Sequence, residues 1–307
     1  MIVTVTPNPS LDLTYTVHTL EYGESQRVKT AASRAGGKGV NVARVVHQLG
    51  RTVTAVATVG GETGRTFEAD LIASGIPHRL IMAAAPTRRS VAIVDDSRDE
   101  TTVLNEEGSP FDPVEWAQLT DALDPLLASA ECLTGSGSLP PGCPDTLYGD
   151  LVELAAARGV PAVIDATGPA LIHAAEARAT VLKPNRRELA ESTNEDDPVA
   201  GATHLLSLGA SLVLVSLGED GMIAISANEP SQVWSARLPR PLQGNPTGAG
   251  DAAVAAIAVA LAEQIVDPRR ILLRATAWGA AAVLMPQAGE IAASYRELEA
   301  RLIVDRT

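Results

Sequence analysis

The segment Asn245-Pro246-Thr247-Gly248-Ala249-Gly250-Asp251 opens directly into AAVAAIAVALA, a run that reads as a buried helix. Two glycines in such a turn let the backbone approach an anion closely. The first amides of a helix are unpaired donors, and the helix dipole adds partial positive charge to them. Asp251 would stand at that anion site, where a carboxylate can take the proton of a hydroxyl attacking a phosphoryl group. A general base contributes about 10²–10⁴-fold, and phosphoryl transfer otherwise relies on positioning and electrostatics. Two plainer readings stand beside this one. Asp251 would serve equally well as an N-cap. The string Gly248 to Ala253 also satisfies the GxGxxA dinucleotide pattern, although no apolar strand precedes it.

A second turn, Gly36-Gly37-Lys38-Gly39-Val40-Asn41, puts a cation and an amide at another helix start. Lysine is scarce: of the 24 basic residues only Lys29, Lys38 and Lys183 are lysines. That scarcity, and the three glycines around it, favour Lys38 as an anion contact over a solvated charge. A Walker loop is excluded, because Gly39 follows Lys38 where that loop needs Ser or Thr. The third turn is Lys183-Pro184-Asn185-Arg186-Arg187-Glu188. Asn185 and Glu188, three apart, share a helix face and could hold hydrated Mg²⁺ beside phosphates. The same pair is what a capping box requires.

These turns need a frame. Short apolar strands are expected at Ile2–Thr6, Val53–Val59, Glu131–Thr134, Pro161–Asp165, Thr180–Leu182 and Ser211–Ser216. They alternate with helices near 40–49, 66–74, 113–129, 145–158, 249–264, 268–285 and 294–303. That rhythm implies βαβ units and a parallel central sheet, with ligands at the C-terminal ends of the strands. Leu11 to Ser33 reads as a β-ribbon projecting from the body, and 90–95 and 100–104 as further extended segments.

Composition narrows the function classes. A chain of 307 residues, 46% apolar and 20% charged, can bury one large core. A net charge of −13, with no basic run longer than a pair, excludes a nucleic-acid surface. No apolar run approaches the roughly 18 residues of a membrane helix, and the opening MIVTVT lacks a basic signal-peptide region. A cytoplasmic protein without membrane or nucleic-acid partners is expected. Cys132 and Cys143 fit no zinc spacing.

Taken together and in this order, the motifs resemble the PfkB (ribokinase-like) family of carbohydrate kinases, from Thr6 to about Gly289. They comprise TPNPSLD at 6–12, GGKGVNVARVVHQLG at 36–50, Thr87-Arg88, GSLPPG at 137–142, KPN at 183–185, SLG at 216–218 and NPTGAGDA at 245–252. The nearest likeness is to the phosphosugar branch, the tagatose-6-phosphate kinases and 1-phosphofructokinases. Asn245-Pro246-Thr247-Gly248 and VVHQLG look like the former; LPPG at 139–142 and Asn105-Glu106-x-Gly108 look like the latter.

The resemblance implies a single 1–307 domain, an α/β/α three-layer sandwich with a small β lid built from about 11–34 and 86–105. Lids of this family often pair, so a homodimer through the lid is expected. It implies Asp251 as catalytic base and the amides of Gly248, Ala249 and Gly250 as anion hole. Asp12, Gly37 and Asn41 would hold sugar hydroxyls, and Lys38, Arg88 and Arg27 the acceptor's existing phosphate. Lys183, Asn185, Glu188, Ser216, Gly218 and Gly221 would line the ATP side, with Asn185 and Glu188 meeting Mg²⁺ through water. The implied reaction is ATP-dependent phosphorylation of a ketohexose monophosphate to a 1,6-bisphosphate, tagatose 6-phosphate being favoured over fructose 1-phosphate. A non-catalytic sugar-phosphate sensor and a nucleoside or free-sugar kinase are the rival readings.

Overall fold

The computed structural model describes residues 1–98 and 100–307. Its strands in chain order are β1 (Ile2–Thr6), β2 (Ser10–Val17), β3 (Ala32–Gly36), β4 (Val53–Val59), β5 (His78–Met82), β6 (Arg88–Asp95) and β7 (Glu100–Asn105). Then come β8 (Cys132–Ser136), β9 (Ala162–Asp165), β10 (Val181–Leu182), β11 (Leu212–Ser216), β12 (Met222–Ser226), β13 (Glu229–Arg237) and β14 (Ile303–Arg306). The helices are α1 (Lys38–Gln48), α2 (Gly61–Ala73), α3 (Pro113–Leu127), α4 (Leu147–Ala156) and α5 (Pro169–Glu176). They continue with α6 (Arg186–Thr193), α7 (Pro198–Leu208), α8 (Ala249–Ala262), α9 (Pro268–Val283) and α10 (Tyr295–Ala300).

Ten strands form one sheet in the order β14-β13-β12-β11-β10-β9-β8-β1-β4-β5. From β5 to β11 neighbours are parallel, and β12, β13 and β14 extend the sheet antiparallel. The parallel strands have helices on both faces, so IVTVT and its neighbours are buried throughout rather than alternating. One apolar cluster joins that sheet to α1, α2, α8, α9 and α10, and the other joins it to α3 through α7. The result is a three-layer α/β/α sandwich. Helix α8 is buried from Asp251 to Leu261, and its alanines let α1 and α9 pack close on either side. Among the described residues, no helix is long and apolar enough to cross a membrane.

Two features position the site. The chain runs from β1 outward to β4 and β5, then returns to add β8 on the other side of β1. That reversal opens a crevice at the C-terminal ends of β1 and β8. Above it stands a second, four-stranded sheet, β3-β2-β6-β7, reached from β1 through Pro7-Asn8-Pro9. Strands β2 and β6 pair in parallel from Ser10 with Arg88 to Val17 with Asp95.

Two expected elements end differently. The ribbon over Leu11 to Ser33 is strand only at its two ends, because residues 21–30 are exposed throughout and have nothing to pair with. The last helix stops at Ala300, and the β-branched Ile303 and Val304 instead pair with Arg237 and Ala236 of β13. The hairpin of β12 and β13 also lies outside the expected strands, since its two members carry neither flanking glycine pairs nor a helical crossover.

Candidate active site

A cleft of about 1280 Å³ lies where the ends of β1, β8, β9, β10 and β11 face the four-stranded sheet. Every site residue expected from sequence lines it except Arg27. Arg27 falls in the exposed stretch between β2 and β3, away from the cleft wall, because that stretch forms no strand to carry it inward.

The turn before α8 has the expected geometry, with two refinements. Gly248 is the N-cap, at φ 88, and a Cβ there would come within 2.8 Å of Ala288. Asp251 is therefore in the first helical turn and not the cap, and the loop from Leu238 precedes it instead of a strand, which removes the dinucleotide reading. The amide of Ala249 donates to the carbonyl of Pro246 at 3.1 Å. Among the described residues no backbone carbonyl takes the amides of Gly248, Gly250 and Asp251, so these three are the donors left for an anion.

Asp251 itself is 6% exposed, and Asn41 Nδ2 donates to its Oδ2 at 2.8 Å. Asn41 thus orients one carboxylate oxygen and leaves the other for a substrate. Burial pushes Asp251 up to about 6, with the charge of Lys38 pulling the other way, Asp165 adding to the rise, and the Asn41 bond and Lys183 lowering it. A carboxylate in that range is ionised at neutral pH yet basic enough to accept a proton.

Beside it is an ion network that the sequence reading missed at its centre. Asp165, at the end of β9 and 1% exposed, lies 3.4 Å from Lys38 Nζ and 3.5 Å from Lys183 Nζ. Burial favours its neutral form, but the two ammonium groups outweigh that and hold it below its ordinary range. Lys38 also meets Glu188 Oε1 at 3.3 Å, and its own pKa is raised, chiefly by Asp165. The signal for Asp165 was present in PAVID, an acid ending an apolar strand on the ligand side of the sheet.

Asn185 caps α6: its Oδ1 accepts from the Glu188 amide at 2.8 Å, and Glu188 Oε2 accepts from the Asn185 amide at 2.9 Å. The capping box is real, and it aims the remaining Glu188 oxygen at the cleft. Mg²⁺ binds through one or two carboxylates plus water and substrate phosphates. Glu188 Oε1 is the oxygen that fits it: the Asn185 Oδ1 expected beside it is spent on the cap, and Asp165 Oδ1 stands 3.5 Å from Lys183 Nζ.

Residues 6–293 match the pfkB family of carbohydrate kinases. The chain belongs to that family. It is accordingly a phosphotransferase with an alcohol group as acceptor. Among similar solved structures is phosphofructokinase-2 of Escherichia coli in complex with fructose-6-phosphate, 26% identical with a TM-score of 0.86 over 97% of this chain and 98% of that one. A possible 1-phosphofructokinase of Thermotoga maritima, at 24% identity, has a TM-score of 0.90 over 100% and 99% of the two chains. Ribokinase of Arabidopsis thaliana complexed with ribose and ATP, at 21%, has a TM-score of 0.75 over 97% and 98%. The last two establish likeness of fold.

The kinase's cleft has two unlike ends. At one, Ser216, Gly218 and Gly221 border a turn, and Met222, Leu238, Leu242 and Val283 supply an apolar wall. The four apolar residues were not expected from sequence, because they come from elements about 60 residues apart in the chain. At the other end, under the small sheet, lie Asp12 and Arg88. Ser10 Oγ donates to Asp12 at 2.6 Å. Burial raises the Asp12 pKa, against the Ser10 bond and the charges of Arg88, Arg44 and Arg34. Arg88 donates to the carbonyl of Asn8 from Nε at 3.3 Å and Nη2 at 3.1 Å, and to that of Glu106 from Nη1 at 3.0 Å. Lys38 and Arg88, expected together on the acceptor's phosphate, share no partner: the first stands with Asp165 and Glu188, the second with the carbonyls of Asn8 and Glu106.

Proposed function

We propose that this kinase transfers the γ-phosphoryl group of ATP to a ketohexose monophosphate, giving a 1,6-bisphosphate, with tagatose 6-phosphate the favoured acceptor. The observation that carries the reading is Arg88, a half-buried cation of the small sheet that lines the same cleft as Asp251 and is held by main-chain carbonyls. A sugar already carrying phosphate needs such a partner, since charge-assisted hydrogen bonds are roughly twice as strong as neutral ones. The E. coli neighbour's complex with fructose-6-phosphate supports a phosphorylated ketohexose.

In this mechanism Arg88 fixes the existing phosphate, and Asp12 and the amide of Gly37 hold the sugar hydroxyls. Asp251, held by Asn41, accepts the proton of the terminal hydroxyl as its oxygen attacks phosphorus. The amides of Gly248 and Gly250 and the ammonium of Lys38 stabilise charge on the transferring group. Asp165 and Glu188 hold Lys38 in place, Lys183 pairs with Asp165, and the apolar wall from Met222 to Val283 takes the nucleotide base. Glu188 would hold Mg²⁺ with ATP, where the ion would neutralise phosphate charge.

Fructose 1-phosphate is the second acceptor, because it is nearly the mirror of tagatose 6-phosphate: one carries phosphate at C6 and reacts at O1, the other the reverse. Leu139 and the Asn105–Gly108 turn, which look like the 1-phosphofructokinases, border the acceptor end. A sensor would have no use for a buried base oriented by an amide. ADP release with tagatose 6-phosphate, fructose 1-phosphate, fructose 6-phosphate, free hexoses and adenosine ranks the acceptors. Turnover confined to free sugars or adenosine rejects the proposal. We further propose pairing of two copies through the small sheet, whose edge strand β7 is exposed at all six residues and carries Val103 and Leu104 outward. A monomer in sedimentation at micromolar concentration rejects that pairing.

A further inference from the structure

Asn8 touches more of the acceptor end than any residue assigned there so far. It is 8% exposed and lies in the short turn that leaves β1 for the small sheet. Its Nδ2 donates to the carbonyl of Glu107 at 3.0 Å, in the turn after β7, and to Ser138 Oγ at 3.3 Å, in the loop after β8. Its own carbonyl receives the two Arg88 bonds, and the third Arg88 bond goes to Glu106, next to the Glu107 that Asn8 holds. The turn closes tightly on it: Gly108 is at φ 97, and a Cβ there would stand 2.6 Å from Asn8 Oδ1. One residue therefore ties together the ends of β1, β7 and β8 and the head of β6.

We propose that Asn8 is a positioning residue for the acceptor's phosphate, acting through Arg88. This rests on the phosphosugar reading above. Three of the five guanidinium N–H groups are spent on the carbonyls of Asn8 and Glu106, which fixes the plane of the fork and leaves the others for phosphate oxygens. The carboxamide is required because its partner at Glu107 is a carbonyl, which only accepts. An Asp of the same shape has no donor to offer it, and its carboxylate would compete with phosphate for Arg88.

The test is steady-state kinetics of Asn8→Asp, Arg88→Ala and the double variant, with tagatose 6-phosphate or fructose 1-phosphate and with the same ketoses unphosphorylated. Asn8→Asp is expected to raise the phosphosugar KM by about tenfold to a hundredfold, leaving kcat and the KM for ATP within about threefold. The double variant is expected to be no worse than Arg88→Ala, and the unphosphorylated ketose to be indifferent to Asn8→Asp. Asn8→Ala, which adds no charge, should show the same pattern more weakly. Additive effects of the two substitutions, or an equal loss with unphosphorylated ketose, overturn the role of Asn8 while the phosphosugar reading stands. A wild-type enzyme that does not prefer the phosphorylated ketose overturns both. A fall in kcat and in ATP affinity together marks Asn8 as merely structural and also overturns the proposal.

Discussion

The two ends of the cleft are built by different means. Around Asp251 the functional groups stand on buried helix starts and strand ends, and they neutralise one another: Asp165 against Lys38 and Lys183, Glu188 against Lys38, Asn41 on Asp251. At the acceptor end the groups sit on turns and on a sheet with an exposed edge, and Arg88 is held by main-chain carbonyls. Carbonyls orient a guanidinium without cancelling its charge, so Arg88 keeps a full cation for a ligand, whereas Lys38 is already shared between two carboxylates. The transfer end is thus preorganised for chemistry that every member of such a family must perform, and the acceptor end for one class of substrate.

That contrast predicts different kinetic signatures for substitutions at the two ends. Asp251→Ala should lower kcat by about 10²-fold or more with ATP binding retained in calorimetry. Near-normal turnover would remove Asp251 as the base. Lys38→Met should act at the same end, lowering kcat more than the phosphosugar KM. Arg88→Ala should do the reverse, raising that KM by about tenfold or more at nearly constant kcat. If Lys38→Met and Arg88→Ala give the same split, the two ends are not functionally distinct.

The pH dependence sharpens the transfer end alone. With Asp251 as the proposed base, turnover needs its ionised form, so kcat should rise with pH through about 6 and level off above it. Lys38 lowers the pKa of Asp251, so Lys38→Met should move that acid limb upward, and Arg88→Ala should leave it in place. The smallest expected effect is on stability. A carboxyl whose folded pKa, about 6, exceeds its ordinary 3.8 opposes folding when ionised, fully above pH 6 and not at all below 3.8. Asp251→Asn keeps the acceptor for Asn41, so at pH 7 it should stabilise the protein by about 1–3 kcal/mol while abolishing turnover. Calorimetric melting at pH 7 and at pH 3.5 checks both the gain and its disappearance.

The same contrast governs how much could be read from sequence. The transfer end was legible where contiguous motifs carry it: KPNRRE and NPTGAGD hold glycines or caps whose geometry is local, whereas Lys38 of GGKG was expected on the acceptor's phosphate. The parallel central sheet followed from the alternation of short apolar strands with helices, and the sandwich from the family resemblance. Asp165 was missed because one acid after an apolar strand is a weak signal until the lysines from α1 and β10 converge on it. Asn8 was quoted within a motif but not seen as a contact, because its partners come from residues 88, 107 and 138. Arg27 was expected in the site from the family resemblance, yet the exposed stretch it occupies has no partner strand. Long-range convergence, not residue type, is what the sequence alone could not supply.

The central claim is that a cation fixed at the acceptor end makes a phosphorylated sugar the substrate. The most direct measurement is the ratio of kcat/KM for a ketohexose monophosphate to that for the same ketohexose without phosphate, on the wild-type enzyme at saturating ATP and Mg²⁺. Two or more charge-assisted bonds from Arg88 predict a ratio of about 10² or more. A ratio near one would contradict the account.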